Sequence, residues 1–272
     1  MMSEQPLVSV IIPTYNRRIE LAELAESLYR QTYKHLQIII VNDCGPSVDF
    51  ICDLYPELHI EIVNMPTNQK HVAARNRGLQ EVRGDYIMLC DDDDLLLPMH
   101  TERMLAEIQD CDLVYPDVEI FNYAFENNAR IITNRFLFAY EFDIPAMRRF
   151  STFFSSGCLF RPALIKALGG FDEEMFHYWD WDFFLRAVQD FRVKRAPIAS
   201  VLYAFAQDGQ SNMSGQHDSM RPFLDLLSAK HGLGELPTKN FFLLLEEPEV
   251  KARQAQTEIV WDRQPIRSRL TV

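Results

Sequence analysis

Apolar residues follow two rhythms along the N-terminal part of the chain. Leu7-Val-Ser-Val-Ile-Ile12, Leu36-Gln-Ile-Ile-Ile-Val41 and Tyr86-Ile-Met-Leu-Cys90 are short runs rich in β-branched and aliphatic side chains, as in buried strands, and residues 58–63 predict a further strand. Between them Leu21, Leu24, Ala25 and Leu28 recur at helical spacing, so residues 17–31 predict an amphipathic helix, and further helices are expected over about 47–55 and 70–82. Strands alternating with helices imply βαβ units and a largely parallel sheet. Right-handed crossovers would carry the segments after the strands, Thr14–Asn16, Asp43–Gly45 and Asp91–Asp94, to one rim of that sheet.

Beyond Pro98 the rhythm changes. Met104, Leu105 and Ile108 suit a helix, and Asp112–Phe121 and Ala129–Thr133 predict strands around an Asn127-Asn128 turn. Ser155–Arg161 reads as another strand, Ala163 to Phe171 as a short helix stopped by Gly169-Gly170, and about 177–190 as a helix rich in Trp and Asp. Ile198–Ala206 predicts a late strand, and Phe241–Leu245 with Glu246-Glu247-Pro248 a linker to a C-terminal tail. This half is expected to be an antiparallel and helical addition that completes one domain.

The apolar run at Tyr86–Cys90 drives straight into four carboxylates, Asp91 to Asp94. Adjacent carboxylates repel and raise one another's pKa, so folding alone gives no reason for the run. Two readings are open: a solvated acidic turn capping the helix that Pro98 begins, or a site for a hard cation, Mg²⁺ or Mn²⁺. The end of a buried parallel strand, where ligands of open α/β sheets bind, favours the cation.

Composition narrows the field. With 47% hydrophobic and 12% aromatic residues the chain can pack a core, and its net charge of −12 argues against a nucleic-acid partner. No apolar segment approaches the ~20 residues of a membrane span, and residues 1–12 do not read as a signal peptide. Cys44, Cys52, Cys90, Cys111 and Cys158 are widely spaced without a Cys-x-x-Cys, which reads as reduced thiols in a cytoplasmic protein. Gly-x-Gly-x-x-Gly and P-loop patterns are absent, which argues against dinucleotide oxidoreductases and P-loop kinases.

A set of motifs in a fixed order carries more. Val8-Ser-Val-Ile-Ile-Pro-Thr-Tyr-Asn-Arg17, Val41-Asn-Asp43, Ala74-Arg-Asn-Arg-Gly78, Gly84–Asp94, and Gly169-Gly-Phe-Asp172 followed by Trp179-Asp-Trp-Asp182 resemble glycosyltransferase family 2, over roughly residues 7–215. The resemblance implies the GT-A fold, a Rossmann-like, mostly parallel central sheet flanked by helices with an antiparallel and helical C-terminal part. It also implies inverting transfer from a nucleotide-diphosphate sugar to a hydroxyl acceptor in glycan or polysaccharide synthesis, with Mn²⁺ or Mg²⁺ as cofactor.

Residue by residue, Asp91-Asp92-Asp93 matches the family's Asp-x-Asp motif, which implies ribose contact by Asp91, Asp92 beside the nucleotide and metal ligation by Asp93, with Asp94 nearby. Pro13, Thr14, Tyr15 and Asn16 match the segment that cradles the base. Asp43 matches an acceptor for uracil N3–H, which points to a UDP-linked donor, and Arg75 a residue near the base or diphosphate. Asn42 stands where a second Asp is usual, and Cys44-Gly45 departs from the common Gly-Ser. Asp180 aligns with the catalytic base; the Glu that usually precedes it is Trp179 here. Trp179 and Trp181 offer apolar platforms for a sugar ring, while Asp182 reads as structural. Gly157, in Ser155-Ser-Gly157, and Gln207–Ser214 match regions lining donor sugar or acceptor, with Gln207 where His is frequent.

The expected organisation is a GT-A domain over residues 1–238, with a nucleotide-binding half at about 1–98 and an acceptor-side half at about 99–238, then an extension over 239–272. The acceptor is open between glycan, lipid-linked and protein-linked hydroxyls. An alternative function, favoured by Trp179 in place of Glu, is a catalytically impaired protein that binds nucleotide sugar or glycan. The tail after Pro248 carries Lys251, Arg253, Arg263, Arg267 and Arg269 against Glu258 and Asp262, a net +3. That charge suits either a peripheral contact with an anionic membrane or packing on the chain's own acidic domain or a second subunit of a homo-oligomer.

Overall fold

The computed structural model describes residues 5–127, 129–205, 217–237 and 241–271. Its strands are β1 (Val8–Thr14), β2 (Leu36–Asn42), β3 (Ile60–Asn64), β4 (Tyr86–Leu89), β5 (Leu95–Leu96), β6 (Leu113–Glu126), β7 (Ala129–Phe138), β8 (Leu159–Phe160), β9 (Val193–Ala204) and β10 (Glu258–Ile259). The helices are α1 (Arg18–Tyr29), α2 (Phe50–Leu54), α3 (Lys70–Leu79), α4 (His100–Glu107), α5 (Ile144–Met147), α6 (Pro162–Leu168), α7 (Trp179–Asp190), α8 (His217–His231), α9 (Phe241–Leu245) and α10 (Pro248–Lys251).

One sheet runs β10-β9-β6-β8-β4-β1-β2-β3, with β5 on β9 and β7 on β6. β1 pairs in parallel with β2 on one side and β4 on the other, and β2 with β3. The order therefore reverses direction across β1, and the carboxyl ends of β1 and β4 flank the switch point where open α/β sheets bind ligands. Period-two alternation explains the two cores. Val8, Val10, Ile12, Ile38 and Ile40 face α1, α2 and α4. Ile11, Ile39, Val41, Ile87 and Leu89 face α3, α6, α7 and α8. Helices cover both faces, which is why the strands read as continuous apolar runs.

The second half departs from the sequence reading in four places. Antiparallel pairing holds for β6 with β7 and β8, and for β4 with β8, but β9 runs parallel to β6 along most of its length. The chain crosses over through α6 and α7 before entering β9, and a helical crossover delivers a parallel strand. The strand expected over Ser155–Arg161 shrinks to Leu159–Phe160, because Gly157 at φ +79° turns the chain and Cys158 N–H bonds back to the Ser155 carbonyl at 3.1 Å. The helix expected from Pro98 starts at His100.

The fourth departure is Phe241–Leu245, a helix instead of a linker. Its Phe241 ring stacks on Phe138 (5.9 Å, 19°) and Phe205 (6.1 Å, 22°), burial that a linker would forgo. The tail behind it returns to the domain. β10 extends the sheet beside β9, Arg253 donates to Thr152 Oγ1 at 2.7 Å, and Arg269 donates to the Leu54 carbonyl and to Glu57. Two of the five basic tail residues are thus spent on their own acidic domain. Gln207–Ser214 lies outside the described residues. Among the described residues no helix is long and apolar enough to cross a membrane.

Candidate active site

The ends of β1, β2 and β4 meet the start of α7 around a cleft of ≈ 480 Å³. Its lining includes Pro13, Thr14, Tyr15, Asp43, Arg75, Asp91, Asp92, Asp93, Trp179, Asp180 and Trp181, residues drawn from segments far apart in sequence. The expected convergence of three polar strand ends on one rim is therefore met. Asn16, also expected to cradle the base, is an exposed turn residue at φ 59°. Gly157 lies off the cleft wall: its N–H donates to the Leu89 carbonyl at 2.7 Å, and His100 Nε2 donates to its own carbonyl at 3.0 Å.

The acid run is held by specific bonds. The Asp91 N–H donates to Ser156 Oγ at 3.0 Å. Asp94 is fully buried, and its Oδ1 accepts the Ala204 N–H at 2.8 Å. Thr14, buried at the end of β1, lines the cleft with Asp92. Burial, followed by repulsion from Asp93 and Asp91, pushes the Asp94 carboxyl well up, and burial raises Asp92 and Asp93 as well. Carboxylate oxygens of Asp91, Asp93 and Asp94 come within 4.8 Å of one another, a span one cation can bridge.

Two arginines answer this charge. Arg17, at the junction of β1 and α1, donates through Nη1 to Asp92 Oδ1 at 3.0 Å and also to Asp93 Oδ2. Arg75 is buried on α3. It pairs with Asp91 through Nη2, while its Nη1 donates to His71 O at 3.0 Å and His71 Nδ1 at 2.7 Å. His71 Nε2 in turn donates to the Phe176 carbonyl at 2.9 Å, which fixes the tautomer that leaves Nδ1 as acceptor. Burial, then the Arg75 charge, pushes the His71 pKa down to about 3, so the ring stays neutral. His71 has no metal-ligand spacing in the sequence; its signal there is the i, i+4 relation to Arg75 on one helix face.

The Arg75 guanidinium carbon also lies 4.0 Å from the Trp179 ring centroid. One face of that indole, read from sequence as a sugar platform, is thus already covered by a cation. Trp181 donates its indole N–H to the Met147 carbonyl at 2.7 Å and is nearly buried. Asp43 accepts the N–H groups of Gln69 and Lys70, at 2.7 and 2.8 Å, one on each oxygen, so it also orders the start of α3.

Across the cleft, Asp180 occupies the first turn of α7, where the positive helix end favours a carboxylate. Its Oδ1 accepts the Trp181 N–H at 2.8 Å. Burial pushes its pKa up to about 6, with Asp91 adding to the rise and the Trp181 bond and Arg75 opposing it. Asp182, two positions on, points into the core. It is fully buried, ion-paired with Arg186 and Lys230 at 2.9 and 2.7 Å, and hydrogen-bonded to His231 Nε2 at 2.8 Å.

Residues 9–168 match the family described as Glycosyl transferase family 2. Over 263 residues the chain is 51% identical to YwdF of Bacillus subtilis (strain 168), an uncharacterized glycosyltransferase, a match covering 97% of this chain and 98% of YwdF. In structure it is similar to residues 1–349 of S. aureus TarS, crystallised in complex with UDP-GlcNAc. That TM-score is 0.63 at 19% identity, over 82% of this chain and 66% of TarS 1–349. It is also similar to the mannosyltransferase PcManGT from Pyrobaculum calidifontis, in complex with GDP-Man and Mn²⁺, at a TM-score of 0.58 and 17% identity over 92% of this chain and 83% of that one. A family match across more than half of the chain, joined to a relative half identical from end to end, has one reading: the chain belongs to glycosyl transferase family 2 and is a glycosyltransferase of the GT-A fold.

Proposed function

We propose that this glycosyltransferase transfers a sugar with inversion from a UDP-linked donor to a hydroxyl acceptor and requires Mn²⁺ or Mg²⁺. The observation that carries the reading is Asp91 and Asp93 lining one cleft with Asp180, with the buried Asp94 within bridging distance of both. The donor set fits a hard divalent ion, being carboxylate oxygens alone. Asp94 Oδ2, buried and without a hydrogen-bond partner, is an oxygen that a ligand would satisfy. Asp93 would hold the ion with Asp91 and Asp94 beside it. When bound, the ion supplies Lewis-acid neutralisation of the charge that builds on the leaving diphosphate.

The chain's own residues do the rest. Asp43 keeps free lone pairs toward the cleft for an imide N–H of the base, and Pro13, Thr14 and Tyr15 line the space beside it. Arg75, locked by His71 and Trp179, fixes the Asp91 carboxylate for the ribose hydroxyls and adds positive charge near the diphosphate. Asp180 takes the proton of the acceptor hydroxyl as that oxygen attacks the anomeric carbon, and a pKa near 6 leaves it ionised yet basic at neutral pH. Release of nucleoside diphosphate from a panel of nucleotide sugars, with Mn²⁺ or with EDTA, tests the reading. Metal-dependent release that falls about 10²–10⁴-fold in Asp180→Asn is expected. Release indifferent to EDTA removes the metal requirement, and undiminished release in the variant removes the base.

A further inference from the structure

Arg17 stands apart from the other arginines that reach the acid run. Arg75 is held from several sides, and Arg130 is held by Glu23 in a buried pair at 2.6 Å. Among the described residues the Arg17 side chain bonds only to Asp92 and Asp93, and with 31% of it exposed it lines the cleft. Its hydrogen-bond partner Asp93 is the carboxylate assigned above to the divalent ion. An ion held by Asp93 would share that carboxylate with the Arg17 guanidinium, and two cations at one half-buried carboxylate repel strongly.

We propose that Arg17 is a built-in counter-cation of the Asp92–Asp93 pair, which competes with the divalent ion for Asp93 and is drawn away by the diphosphate of the nucleotide. The inference rests on the metal reading above. With no ligand bound, Arg17 relieves the repulsion that a run of buried carboxylates would otherwise carry. A diphosphate offers the guanidinium a planar, bidentate anionic partner of its preferred kind. Departure of Arg17 frees Asp93, so metal and nucleotide bind with positive coupling and each raises the other's affinity by the same factor. The swing is short and local, because Arg17 is fixed at the base of α1 while its head group is tied to the acid run alone.

Titration of MnCl₂ into the intact chain, with free Mn²⁺ read by electron paramagnetic resonance, tests this with and without saturating UDP. Arg17→Gln is expected to bind Mn²⁺ about tenfold or more tightly than wild type in the absence of UDP. The gain that UDP then adds should shrink by at least that factor, within the range typical of coupled sites. Arg17→Lys retains the charge and should keep most of the competition. A thermal melt of each variant verifies the fold. Equal Mn²⁺ affinity of wild type and Arg17→Gln without UDP overturns the competition. An affinity raised equally with and without UDP overturns the displacement and leaves only a general field effect. Failure of every variant to bind Mn²⁺ in the presence of UDP removes the metal reading itself, and the proposal with it.

Discussion

Glu23→Ala probes how the acid run is kept in place. Glu23 lies on α1 and Arg130 on β7; their side chains are 3% and 2% exposed and pair at 2.6 Å, while Glu23 Oε1 also accepts the Arg130 N–H at 3.1 Å. Arg130 Nη1 then donates to the Asp93 carbonyl at 2.5 Å, and its guanidinium lies 5.0 Å from the Tyr123 ring. Nη2 has no partner even with Glu23 present. Truncating Glu23 therefore strands a buried cation with one side-chain hydrogen bond and the Phe121 and Tyr123 ring faces. Breaking a buried pair from one side costs about 3–5 kcal/mol, which in a chain of this size lowers Tm by roughly 6–20 °C. Urea denaturation gives the free energy and a thermal scan the midpoint. Glu23→Leu combined with Arg130→Met removes both charges and should recover most of the loss. A loss below about 1 kcal/mol for Glu23→Ala, or a double variant no better than the single one, refutes the argument that the unpaired charge dominates.

Asp93→Ala should abolish Mn²⁺-dependent UDP binding, measured by calorimetry, while the melting curve stays near wild type, since Arg17 keeps Asp92 as a partner. Because the Asp180 pKa is raised, its base form disappears as pH falls through about 6, so turnover should drop about tenfold for each pH unit below that point. The same shift disfavours the ionised native state, a penalty absent at low pH and complete above pH 6. Asp180→Asn should accordingly be more stable than wild type at pH 8, by up to about 3 kcal/mol, and equal to it at pH 3.5, as read by urea denaturation. Gly157→Ala should destabilise by about 2–4 kcal/mol in urea titration. Its φ is +79°, and a Cβ would come 2.6 Å from Val201 Cγ2 and 2.7 Å from His100 Cε1.

Much of the site was legible from local pattern. A buried parallel strand announces itself as an apolar run, and its chain direction decides which end bears the loop. Asp91–Asp94, Asp43 and Thr14 could be assigned to one rim without coordinates for that reason. Asp180 was legible as a helix-start acid in a motif of fixed order. Helix periodicity located α1 and α3 because each buries a single stripe of side chains.

What sequence could not reveal depends on contacts between segments far apart in the chain. Arg17 meets Asp92 and Asp93 across more than seventy positions, and His71 reaches Phe176 across more than a hundred. Neither pairing leaves a local trace, because the energy of a buried charge lies in its three-dimensional surroundings and not in its neighbours along the chain. The five apolar residues from Phe241 to Leu245 could not declare whether they were linker or cleft wall until Phe138 and Phe205 stood beside them. The short strand at Leu159–Phe160 shows the same limit, since strand propensity over Ser155–Arg161 gave way to a glycine turn that packs on His100 and Val201. Sequence by itself determined the parallel sheet and which loops carry acid; tertiary packing decided which cation answers each carboxylate, and so which of them remain available to a ligand.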